Sequence, residues 1–102
     1  MTDEQINQRI AEACGWTDFI THPEFGLMGV PPDAHGLRTA VDWYTVDLNA
    51  MHEAEKMLLI SKFPTYVKKL TKINFGDPIT AGARQRAEAF LRTLGKWEEV
   101  QG

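Results

Sequence analysis

The chain has 102 residues, a formal net charge of −3, 43% apolar and 10% aromatic residues. That is the size of one domain, residues 1–102, whose fold buries roughly 65% of the surface exposed by the unfolded chain. No apolar run approaches the ~20 residues of a membrane span. The acidic, polar start Met1-Thr2-Asp3-Glu4-Gln5 does not read as a secretory signal. The single Cys14 cannot form an internal disulfide, which fits a reducing cytoplasm. A pI near 5.5 argues against a partner made of long nucleic acid.

In chain order, Thr2-Asp3-Glu4-Gln5 is a capping box, and Ile6, Ile10, Ala13 and Cys14 recur at helical spacing until Gly15. This predicts a helix over 3–14. Residues 16–44 are punctuated by Pro23, Gly26, Gly29, Pro31, Pro32 and Gly36. They predict two short strands, Trp16–Ile20 and about Leu37–Trp43, pairing antiparallel across a long loop. A second helix is predicted from Thr45 to Ile60, with Tyr44, Leu48, Met51 and Leu58 as its core stripe. Glu55 falls on that same line, a place for a carboxylate only if it is paired. Pro64 at the first position opens a third helix over 64–73, with a strand at Leu70–Phe75 as the alternative. Asn74-Phe75-Gly76-Asp77-Pro78 reads as a turn and Thr80 as a cap. Ala83, Ala87, Phe90, Leu91 and Leu94 make the apolar face of a last helix closed by Gly95, and Trp97 packs just beyond it. The fold class is therefore α+β and helix-dominated, with three to four helices and a two-stranded antiparallel sheet.

Motifs for catalysis and metal binding are missing from the sequence. His22, His35 and His52 are scattered, and no Cys or His group has zinc spacing. His52-Glu53 starts like a zincin helix, but position 56 is Lys where a second His is required. There is no nucleophile elbow and no phosphate-cradling glycine loop, so no cofactor is expected. Cys14 reads as a small core residue near a helix C-terminus, where a thiol is not activated. Asp42 and Asp47 flank the start of the second helix, where capping is the commonest duty of an acid.

The charge is split unevenly along the chain. Residues 1–50 hold two bases against eight acids, and residues 51–102 hold nine bases against six acids. A basic half suits a phosphate-bearing partner. Trp43, Tyr44 and Trp97 sit at element ends as stacking candidates. Arg84 and Arg92 share a stripe of the last helix with Glu88, and Arg86 lies on another face; these arginines are candidates for gripping phosphate. Asn49 and His52 are candidates for polar selectivity. The competing reading makes the tryptophans caps on the core and Arg84-Glu88-Arg92 a solvated ion-pair ladder.

Two blocks together resemble a known family. They are Tyr44-Thr45-Val46-Asp47-Leu48-Asn49-Ala50-Met51-His52-Glu53-Ala54-Glu55-Lys56 and Ala83-Arg84-Gln85-Arg86-Ala87-Glu88-Ala89-Phe90-Leu91-Arg92-Thr93-Leu94-Gly95-Lys96-Trp97, preceded by a first helix ending in Gly15-Trp16. The chain resembles the phage ABA sandwich domain, small accessory proteins of tailed bacteriophages. The resemblance implies layered helix–sheet–helix packing and action in the cytoplasm of a bacterial host. It points to an anti-defence sponge, a non-enzymatic protein that sequesters a nucleotide-derived host immune signal, with a pocket in one chain or between the protomers of an oligomer. Two alternatives stand beside it. One is a protein-interaction module that blocks a host protein through Phe25, Leu27, Met28 and Val30 on the long loop. The other is a signal-degrading enzyme using Asp42, Asp47 or His52.

Overall fold

A computed structural model describes residues 1–33, 36–58, 61–74 and 81–98. The first helix, α1 (Asp3–Ala13), starts as its sequence dictates. Thr2 Oγ1 accepts from the Gln5 N–H at 3.1 Å, and Gln5 Oε1 accepts from the Thr2 N–H at 2.8 Å. Its end is a Schellman turn. Trp16 N–H bonds Ala11 C=O, Gly15 N–H bonds Glu12 C=O, and Gly15 takes a φ of 96°. The buried residues of α1 are Ile6, Asn7, Ile10 and Ala11. The expected stripe is thus displaced: Ala13 and Cys14 are only half-buried. Asn7 enters the core because its amide oxygen accepts the buried Thr45 N–H at 3.1 Å.

The sheet differs from expectation. It has three strands, β1 (Thr17–His22), β2 (Gly26–Val30) and β3 (Thr39–Ala40), in the order β1-β2-β3 and all antiparallel. The two predicted strands do not pair with each other, because β2 lies between them. β1 and β2 form a hairpin in the register His22↔Gly26, Ile20↔Met28 and Thr17↔Val30, with a bulge between Thr17 and Ile20. Asp18, at the bulge, has a φ of 52°. Gly26 and Gly29, which read as loop punctuation, belong to β2. At Gly29 a Cβ would stand 2.9 Å from Phe19 Cδ1, so glycine lets the Phe19 ring lie against the backbone.

α2 (Leu48–Glu55) begins three residues later than predicted. Asp47 caps it by accepting from the N–H groups of Asn49 and Ala50. Residues 44–46 turn instead, and the predicted end at Ile60 lies outside the described residues. α3 (Phe63–Ile73) is a helix and not the alternative strand, with Pro64 in its second position. The predicted turn beyond Asn74, the Thr80 cap, His35 and the last four residues also lie outside the described residues. α4 (Ala83–Thr93) starts at Gly82, whose N–H donates to Gln85 Oε1 at 2.9 Å, and it closes with a second Schellman turn at Gly95.

α4 is the hub of the helices. It packs against α1, α2 and α3 and buries Ala87, Ala89, Phe90 and Leu91 completely or nearly so. Ile6, Ile10, Met51, Tyr66 and Leu70 close around it, and Phe19 and Leu27 of the hairpin reach the same core. Among the described residues no helix is long and apolar enough to cross a membrane.

Candidate functional site

The residues expected at a ligand site fall into three places. Arg84, at the start of α4, and Arg92, near its end, converge on the ring of Trp97. The guanidinium carbons of Arg84 and Arg92 stand 5.6 and 5.1 Å from the centre of the Trp97 ring, both within cation–π reach. The ladder reading is met in part: Arg92 Nε lies 3.1 Å from Glu88 Oε2, but Arg84 pairs with Asp3 of α1 at 3.2 Å. Trp97 is half-buried, and its buried Nε1 has no hydrogen-bond partner among the described residues. The ring therefore serves the packing of α4 and already carries cations.

Arg86 belongs to a different cluster. It spans from α4 to Glu55 of α2, with Nη1 3.1 Å from Oε2, and both side chains are close to nine-tenths buried. Its Nε donates to Ala81 C=O at 3.0 Å. Glu55 Oε1 also meets His52 Nδ1 at 3.0 Å. The Tyr66 hydroxyl is buried beside these charges, close to both Glu55 and Arg86. Burial, followed by the neighbouring Glu55, pushes its ionisation well above the ordinary tyrosine range. Glu55 on the apolar stripe is thus paired, as its burial requires.

Trp43 and Tyr44 part company. Tyr44 is 3% exposed and part of the core, so it offers no face to a ligand. Trp43 is 61% exposed and lines a small cavity beside α1, away from the arginines. Asn49 is exposed and its N–H is spent on the Asp47 cap. Asp42 has its carboxyl raised by burial and then by Asp47, while Asp47 itself is the cap. Cys14 is pushed up to about 11 by burial and then by Asp42, so it is a poor nucleophile. Among the described residues no three His, Cys, Asp or Glu side chains gather as metal ligands.

The residues that the sequence reading passed over are the lysines of α3. Thr65, Lys68, Lys69 and Lys72 recur at i, i+3, i+4 and i+7 on one helix face. They line a groove of about 490 Å³ with Val67 and Thr71. A second groove of about 340 Å³ is lined by Lys69, Lys72 and Ile73 together with Glu88 and Arg92 of α4. The two share Lys69 and Lys72. Among the described residues none of the three lysines is in an ion pair. Both grooves have the size of small-ligand clefts. The signal was present in the sequence as Lys68-Lys69-x-x-Lys72, a spacing that a solvated helix face shares.

The fold and this face define a small α+β domain with a cationic groove between two packed helices. Comparison with family models, with curated proteins and with solved structures returned no match.

Proposed function

We propose that the chain is a non-enzymatic binding protein that captures and sequesters a small phosphate-bearing, nucleotide-derived ligand. The observation that supports this most is the pair of grooves along α3, with Lys68, Lys69 and Lys72 in no ion pair among the described residues and Arg92 at the far wall of the second groove. Clustered ammonium groups beside one guanidinium attract phosphate oxygens, and Glu88, one turn back on α4, holds Arg92 in place. The phosphate role moves from Arg84 and Arg86, which are engaged with Asp3 and Glu55, to the α3 lysines, with Arg92, itself paired with Glu88, at the groove wall. The resemblance to phage accessory proteins makes a host immune signal the specific form of this ligand.

Native mass spectrometry against a panel of cyclic nucleotides and ADP-ribose derivatives tests the reading. A bound mass is expected, with its affinity lowered roughly tenfold or more by K69A/K72A and lowered by added salt, while the circular dichroism spectrum is unchanged. Affinity that survives the double substitution refutes the assignment of the site. A spectrum that stays ligand-free across the panel refutes the ligand class.

A further inference from the structure

The cavity beside α1 has chemistry opposite to that of the α3 face. It is built by Glu4 and Asn7 of α1, Phe25 and Leu27 of the hairpin, and Val41 and Trp43 on the way to α2, with a volume of about 130 Å³. No basic side chain lines it. Two large rings stand in water there, Phe25 at 65% exposure and Trp43 at 61%. Phe25 is held in place: His22 Nδ1 accepts from the N–H groups of Glu24 and Phe25, and the His22 and Phe25 rings lie 4.7 Å apart.

The polar groups are also fixed. Asn7 is only 5% exposed, and its Oδ1 is committed to the Thr45 N–H. Its Nδ2 has no acceptor among the described residues and is left to the cavity that Asn7 lines. The Nδ2 group is not sealed from solvent, so its N–H is open to an acceptor that enters the cavity. The Glu4 carboxylate meets Thr21 Oγ1 through Oε1 at 3.4 Å, which leaves Oε2 open. The cavity thus offers one negative charge, one N–H donor and two aromatic rings.

We propose that this cavity is a socket for an arginine side chain of a partner protein. A guanidinium is flat, weakly hydrated and always charged; it stacks on an aromatic ring and forks onto a carboxylate. Trp43 supplies the ring and Glu4 the carboxylate. The Asn7 Nδ2–H group donates to a backbone carbonyl of the same partner segment. The volume admits one side chain and not a whole nucleotide. Glu4, with no basic side chain in the lining, draws a cationic group to the cavity and repels a phosphate.

The test uses N-acetyl-arginine amide and its neutral isostere N-acetyl-citrulline amide, followed by NMR at the Asn7 side-chain NH₂ and the Trp43 indole N–H. Arginine is expected to shift both signals with saturable, millimolar-range binding, and citrulline to bind roughly tenfold more weakly. Glu4→Gln and Trp43→Ala should each remove most of the arginine response. K69A/K72A should leave it unchanged, which separates this site from the α3 grooves. Equal binding of citrulline, or guanosine occupying the site in preference to arginine amide, overturns the proposal. So does silence of both signals at tens of millimolar arginine amide.

Discussion

Asn7 shows how one polar residue ties the first helix to the rest of the chain. Its Oδ1 satisfies the Thr45 N–H, a backbone donor in the buried turn that leads to α2. In Asn7→Ala that donor is orphaned, so stability should fall by about 1–3 kcal/mol. Urea unfolding would show this as a lower midpoint with an unchanged slope, and an unshifted midpoint would refute the role. The apolar spacing of α1 was legible, but the burial of Asn7 was not, because its partner lies 38 residues away. Cys14 was read correctly as a weak nucleophile, although the structure supplies different causes, burial first and Asp42 second. The sign of its pH dependence follows. The folded thiol ionises near 11 and the unfolded one near 9.0, so between those values the unfolded chain holds fewer protons. The contribution of Cys14 is fully present below about pH 9 and is lost as pH rises towards 11. At pH 8 iodoacetamide should label the native thiol roughly a hundredfold more slowly than the thiol in urea, from the ratio of thiolate fractions. Comparable labelling rates would show that the thiol is not held in its neutral form.

At the scale of elements, the Glu55–Arg86 pair decides how α2 seats on α4. A carboxylate on an apolar stripe pointed to a partner, but only the fold shows that the partner is Arg86, 31 residues on. Arg86→Met leaves the buried Glu55 carboxylate with only the half-exposed His52 as partner, and the expected cost is up to about 3–5 kcal/mol. Adding Glu55→Met removes that charge and should restore most of the loss. A double-mutant cycle measures the coupling; if the two losses simply add, the pair does not clamp α2 to α4. Helix ends were the most legible features, since a capping box and a glycine at C′ act through local hydrogen bonds. The sheet was the least legible. β2 carries two glycines and shows no alternation, and Gly29 is there for the sake of Phe19 on the neighbouring strand. A residue chosen for a contact across strands looks like a loop breaker when only its own segment is read. The start of α2 was misplaced for a similar reason, because Asp47 ends the turn with its own side chain and resets the helix.

Across the whole molecule the helices and the sheet are held unequally. α4 touches all three other helices, whereas the strands pair chiefly with one another and reach the core through single side chains such as Phe19 and Leu27. The sequence predicted the strength of α4 from its apolar face, and it predicted the split of charge between the two halves. It did not show that the split becomes two separate surfaces, the α3 lysines and the Glu4–Trp43 cavity, because the first depends on the packing of α3 beside α4 and the second on the packing of α1 beside the hairpin. The same architecture sets the order of opening. A hairpin with an irregular register, exposed edges and few buried anchors should unfold locally at low cost, whereas α4 can open only when every helix around it lets go. Native-state hydrogen exchange should therefore find the slowest amides at Ala87–Leu91, with protection equal to the global unfolding free energy. The amides of β1 and β2 should exchange several orders of magnitude faster and depend little on denaturant, since their opening exposes little apolar surface. Phe90→Ala, which empties the middle of the core at a cost of about 3–5 kcal/mol, should speed exchange throughout α4 while leaving the hairpin rates almost unchanged. Equal protection of hairpin and helix, or an equal response of both to that substitution, would mean that sheet and helices open as one cooperative unit.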